Sequence, residues 1–103
     1  MRNSKVVDII RRLQEYGIEP IVSDPWADGV ETEKEYGIKL VRLEDVKDVD
    51  CVIVAVSHRE FKNIDIDYLR EMYSKHADNV LVDVKGIYDL RTIQKSGIRY
   101  WRL

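Results

Sequence analysis

From Ser4 onward apolar residues recur at Val6, Ile9, Ile10 and Leu13, while Lys5, Asp8, Arg11, Arg12 and Glu15 take the positions between them. That spacing predicts an amphipathic helix over Ser4–Tyr16, capped at its start by Asn3 or Ser4 and stopped by Gly17. Glu19–Ser23 then reads as a strand, with Pro20 near its beginning, where a missing N–H is tolerated. The turn residues of Asp24–Gly29 predict a loop. A short helix over Val30–Tyr36 stopped by Gly37, a strand over Ile38–Val41 and a helical turn within Leu43–Val49 follow. Cys51–Val56 is continuously apolar and rich in β-branched residues, the signature of a strand buried on both faces. After a polar loop over Ser57–Asn63, Asp65 can cap a helix over Ile66–His76. Val80–Val84 is a second buried strand, Asp89–Ser96 a last helix, and Ile98–Trp101 a closing strand.

Two tetrapeptides support this division. Glu15-Tyr16-Gly17-Ile18 and Glu35-Tyr36-Gly37-Ile38 are identical, and Lys95-Ser96-Gly97-Ile98 repeats their Gly-Ile ending. Each marks a helix that stops at glycine just before an extended segment, which is shared αβ-loop chemistry and not a solenoid repeat. Alternating helices and strands imply a parallel sheet with helices on its faces. The expected fold is therefore a single α/β domain over residues 1–103, a Rossmann-like three-layer sandwich with a mostly parallel five-stranded sheet. A doubly wound sheet ordinarily opens on its central strand, whereas this chain opens on a helix, so that first strand is expected to be missing. Direct pairing of Pro20–Ser23 with Cys51–Val56 would close the gap.

Length and charge narrow the functional classes. The chain has 103 residues, 45% hydrophobic and 35% charged, with a net charge of −2. That suits one domain with one modest core and lacks the basic stripe of a nucleic-acid-binding surface. No apolar run approaches the length of a membrane span, and the N-terminus carries no secretory pattern. With a single cysteine, Cys51, no internal disulfide or multi-cysteine zinc site can form. A cytoplasmic protein without nucleic-acid or membrane partners is expected.

Candidate chemistry is sparse. No glycine-rich phosphate cradle occurs among the five glycines. Asp24 follows the first strand, where a carboxylate can hold a ribose hydroxyl or simply start an Asp-Pro turn. Cys51, beside Asp50, has no base or cation to activate it and reads as a packing residue. His58 and Lys85 follow the two buried strands at their carboxyl ends, the edge where open parallel sheets bind ligands. Lys85 suits a phosphate or a sugar hydroxyl, or is a solvated lysine in a turn. His76 reads as a solvated cation near a helix end. The two histidines are too far apart to suggest a metal site. Trp26, Tyr100 and Trp101 can stack on a base or serve as core and interface residues.

Several of these stretches, taken in order, resemble the C-terminal domain of the UDP-glucose/GDP-mannose dehydrogenases. They are Arg2-Asn3-Ser4 leading into Val6–Ile9, Ser23-Asp24-Pro25, Val54–Phe61 with its His-x-x-Phe loop, and Val82–Asp89. Tyr100-Trp101 resembles the tail of the branch acting on UDP-N-acetyl-hexosamines. The resemblance covers essentially the whole chain. It implies a part in NAD-dependent, two-step oxidation of a nucleotide sugar at C6, and with it polysaccharide biosynthesis. It also implies that the NAD-binding and catalytic regions lie in another, N-terminal portion, so no catalytic residue is assigned here. Cys51 does not match the family's Gly-x-Cys-x-Pro nucleophile. Arg2 matches an arginine that reaches the NAD, and Lys85 falls in an Asp-x-Arg/Lys motif on the UDP-sugar side, with His58 as a second candidate. Next to Lys85 the UDP-glucose branch places a substrate-binding arginine; that position is Gly86 here. The expected partners are a UDP-sugar and either the N-terminal dehydrogenase portion or another copy of the chain. The runner-up is a non-catalytic Rossmann-like module that pairs with another chain.

Overall fold

The computed structural model describes residues 4–24, 27–55, 64–76 and 78–103. They fall into two compact units, Met1–Val46 and Lys47–Leu103.

The first unit is built on α1 (Ser4–Glu15) and α2 (Gly29–Tyr36). At the end of α1 the N–H of Ile18 donates to Leu13 and that of Gly17 to Gln14, with Gly17 at φ 79°. This double closure needs a left-handed residue, which glycine supplies without a Cβ clash. Asp28 caps α2 by accepting from the N–H groups of Val30 and Glu31, and Gly37 ends it at φ 69°. The two identical tetrapeptides thus do the same job twice. Arg11 of α1 donates to the Tyr36 carbonyl at the end of α2, and Ile10, Thr32 and Ile38 form the buried centre. The strands expected over Glu19–Ser23 and Ile38–Val41 contract to one parallel bridge, Val22 to Leu40, in which Val41 N–H donates to Val22 at 2.8 Å. The expected turn after them is a 3-10 turn, Leu43–Asp45.

The second unit carries the sheet. Strands β1 (Cys51–Val54), β2 (Val80–Asp83) and β3 (Arg99–Arg102) run parallel in that order. Val54 pairs in register with Asp83, and Asp83 with Arg102. Helices α3 (Ile66–Met72) and α4 (Leu90–Ser96) make the two crossovers. Parallel crossovers are right-handed, so two successive ones along a sheet in this order place both helices on one face, and α3 and α4 do touch. The face they cover holds Val54, Leu81 and Asp83, all buried, and the core continues through Leu69, Met72 and Ile93.

Three expectations are corrected. The described residues form three strands, not five; β1 has β2 as its only strand partner, so the expected pairing of Pro20–Ser23 with Cys51–Val56 is not made among them. Nor is β1 buried on both faces: Cys51 and Ile53 are exposed, because the described residues of this unit supply no helix to their side of the sheet. Finally, α3 stops at Met72 instead of running to His76. Tyr73 leaves the helix to form a bridge with Val49 and donates its hydroxyl to the Val80 carbonyl at 2.6 Å. Tertiary hydrogen bonds here outweigh the small gain from one more helical turn.

Candidate functional site

Parallel pairing brings the carboxyl ends of β1, β2 and β3 to one edge of the sheet, and the loop Val84–Tyr88 leaves β2 there. Its first N–H, from Val84, still donates to Val54 of β1 at 2.9 Å, so the loop starts beside the end of β1. Lys85 follows, exposed, and Gly86 turns the chain at φ 66°. Asp89 then caps α4 by accepting from the N–H and hydroxyl of Thr92.

The loop is organised by Asp83, whose side chain is 0% exposed. Its Oδ2 accepts the Tyr100 hydroxyl at 2.6 Å and the Tyr88 N–H at 3.0 Å, while Oδ1 is buried with no hydrogen-bond partner among the described residues. Burial by itself would push this carboxyl up. The Tyr100 hydroxyl and the N–H groups of Tyr88, Ile87 and Gly86 outweigh it and hold the group below its ordinary value. A buried charge is expensive unless several donors face it, and this loop supplies them.

Tyr100 passes the order outward. Its hydroxyl accepts from Arg102 Nε at 2.6 Å, and Arg102 Nη2 donates to the Tyr88 carbonyl at 2.5 Å. The Arg102 guanidinium thereby lies over Gly86, with Cζ 3.6 Å from where a Cβ would stand. Tyr88 in turn donates its hydroxyl to Ile64 at 2.7 Å, and burial pushes its phenol well up. The edge therefore presents two exposed cations, Lys85 and Arg102, on a backbone fixed from beneath by a carboxylate. Such an arrangement can hold an anion by charge and by donated hydrogen bonds.

The sequence-derived candidates fare unequally. Lys85 stands at the carboxyl end of β2 as expected. His58 and Arg2 lie outside the described residues, as does Trp26. Asp24 accepts from the Ala27 N–H through its carbonyl at 3.2 Å. Cys51 is not a packing residue, being exposed; desolvation of the thiol and then Asp50 push it up, away from a thiolate. His76 lies past the end of α3 and is exposed. Tyr100 is half-buried on Asp83, while Trp101 on the opposite face is 52% exposed. Arg102 was not among the candidates. It became visible only through the register, which puts residues 83, 100 and 102 on one face of adjacent strands.

Among the described residues no group of acidic, histidine and cysteine side chains could hold a metal, and no helix is long and apolar enough to cross a membrane. Among the described residues there is no glycine-rich pyrophosphate cradle. Only Gly86 of the five glycines lies between a strand and the helix after it, whereas a pyrophosphate cradle needs a run of them. A groove of about 440 Å³ between α3 and α4 is lined by Asp65, Asp67, Arg70, Asp89 and Lys95. Its mixed charges favour no single ligand sign.

The chain is 42% identical over 86% of its length to the UDP-N-acetyl-D-glucosamine 6-dehydrogenase of Pseudomonas aeruginosa. It is 35% identical over 100% of its length to Protein CapL of Staphylococcus aureus. It is 29% identical over 95% of its length to the UDP-N-acetyl-D-mannosamine dehydrogenase of Methanococcus vannielii. It spans only 21% to 23% of the length of these relatives. No solved structure matches. Residues 1–90, which run through both units and end just past the Asp83–Asp89 loop, match the UDP binding domain of the UDP-glucose/GDP-mannose dehydrogenases, and the chain belongs to that family.

Proposed function

We propose that the chain is the UDP-sugar-binding, C-terminal part of an NAD-dependent nucleotide-sugar 6-dehydrogenase, acting as one domain over residues 1–103 in the cytoplasm and inactive by itself. The observation that carries this reading is the family match over residues 1–90, which takes in the loop bearing Lys85. Lys85, with His58, is assigned to the UDP-sugar. Arg2 is assigned a contact to an NAD molecule held by the N-terminal portion, since this chain has no cradle of its own. Hydride transfer needs nucleophile, base and acceptor in one cleft, and this chain supplies one wall of it. Because β1 is paired on one side only among the described residues, its other edge is assigned to the absent central strand, from the N-terminal portion or from another copy.

The test is direct. The purified chain should bind UDP but give no NADH from NAD and UDP-N-acetyl-hexosamines above a blank without protein. Lys85→Ala should weaken UDP about 5- to 10-fold, as expected for one charge-assisted contact at an exposed edge. Steady NADH formation would overturn the assigned inactivity, and an unchanged dissociation constant would remove Lys85 from the site.

The second reading, a non-catalytic module that pairs with another chain, draws on the sheet face that α3 and α4 leave uncovered, where Ile53 and Trp101 are 37% and 52% exposed. Absence of UDP binding would favour it.

A further inference from the structure

We propose that Arg102 is a second anion-binding residue of this site, gripping the diphosphate of the nucleotide together with Lys85. The proposal rests on the UDP-sugar reading above and adds to it a residue beyond the matched stretch, which ends at residue 90.

Arg102 is the last residue of β3, in register with Asp83 at the ligand edge. A terminal, exposed arginine would ordinarily sample many rotamers and contribute little. This one is held at both ends of its fork: Nε donates to the Tyr100 hydroxyl and Nη2 to the Tyr88 carbonyl. The tyrosine is itself fixed by the buried Asp83. A guanidinium held in this way has lost most of its rotamer entropy before any ligand arrives. The two bonds use only part of its donor fork, and its partners are neutral oxygens, so its charge is not cancelled by direct contact with a carboxylate. It lies 3.5 to 3.6 Å from the Cβ position of Gly86, next to Lys85 in the chain. The Asp83 and Asp89 carboxylates act on it only from a distance, without direct contact. The chain thus carries a guanidinium above a position where its own backbone offers no side chain.

The chemistry selects the ligand. Two cations on a parallel-sheet edge, one a planar fork and one a point charge, suit the adjacent phosphates of a nucleoside diphosphate better than a sugar or a base. Tyr100 is then a positioning residue: it touches no ligand and acts by aiming Arg102.

Titration calorimetry of the full 103-residue chain with UDP and with uridine separates the possibilities. Arg102→Gln should weaken UDP about 10-fold and leave uridine unchanged, while Arg102→Lys should keep part of the UDP affinity. Tyr100→Phe should weaken UDP about 3-fold, yet have no further effect once Arg102 is Gln, a coupling that general loosening of the fold would not produce. Far-UV circular dichroism and the melting midpoint identify a variant that has unfolded, in which case Arg102→Lys decides. If Lys85→Ala weakens UDP and neither Arg102 variant does, the inference falls and the UDP-sugar reading stands. Equal losses for UDP and uridine also overturn it, because Arg102 would then act through the fold. A wild-type chain that binds no UDP overturns the reading and the inference together.

Discussion

Leu69→Ala is expected to lower the unfolding free energy of the second unit by about 3 kcal/mol, a large share of the roughly 5–15 kcal/mol available to a small domain. Leu69 lies in α3 with 0% exposure, as does Leu81 in β2, and Met72 and Ile93 are nearly as buried. Removing the isobutyl group loses its transfer free energy and leaves a cavity that a helix tied down at both ends cannot close. Asp65 caps α3 at one end through the Tyr68 N–H, and the Tyr73 hydroxyl anchors the other on Val80. In urea, with a slope of about 1 kcal/mol per molar for a chain this small, the midpoint should fall by roughly 2–3 M. Leu90→Ala is the control, since Leu90 is 49% exposed and should cost under about 1 kcal/mol. Equal, small shifts in both variants would contradict a core centred between α3, α4 and the sheet.

That core was readable in the sequence as far as local rules govern it. The helix stops at Gly17, Gly37 and Gly97 and the cap at Asp65 follow from backbone chemistry within a few residues, so pattern reading placed them well. The strands of the first unit were not readable to the same degree. Ile21, Val22 and Leu40 satisfy strand propensity, but a ladder needs partners, and a single bridge is all these segments make. The end of α3 was misplaced for a related reason. Tyr73 continues the apolar spacing of the helix, and only the distant Val49 and Val80 show why it leaves. The burial of Cys51–Val54 was overestimated because an apolar run does not say which faces receive helices. That depends on strand order, which puts both crossovers on one side.

The site divides along the same line. The place of Lys85 was legible because a residue just after a buried strand lies at the carboxyl edge of the sheet whatever the rest of the fold does. Tyr100 stood out only as an aromatic, and Arg102 not at all, since their roles come from lying beside Asp83 across two strand registers. Fourteen to nineteen positions of sequence separate these groups from Asp83 and the loop they hold, and no local motif spans that distance.

Asp83→Asn tests this arrangement with the second large effect. The substitution keeps the shape but puts an NH₂ group where a carboxylate oxygen faced donors. With the NH₂ in the Oδ2 position both the Tyr100 hydroxyl and the Tyr88 N–H lose their acceptor, and in the Oδ1 position the amide buries unmatched hydrogens. At pH 7 the cost should be about 2–3 kcal/mol, that of a buried polar group left unsatisfied beside a lost charge-assisted bond. The pH dependence then identifies the charge as the cause. The folded-state pKa of Asp83 is depressed, so the ionised carboxylate contributes stability that is fully present above the unfolded value near pH 4 and is lost as pH falls through the folded value. The asparagine variant has no such group. Wild type should therefore lose its advantage as pH falls from about 5, and the gap between the two unfolding free energies should shrink steadily below it. The other carboxylates titrate in both proteins and cancel in the difference. A gap that stays constant from pH 7 to pH 2.5 would mean that Asp83 is not held as an anion, and Tyr100 would then have no fixed charge from which to aim Arg102.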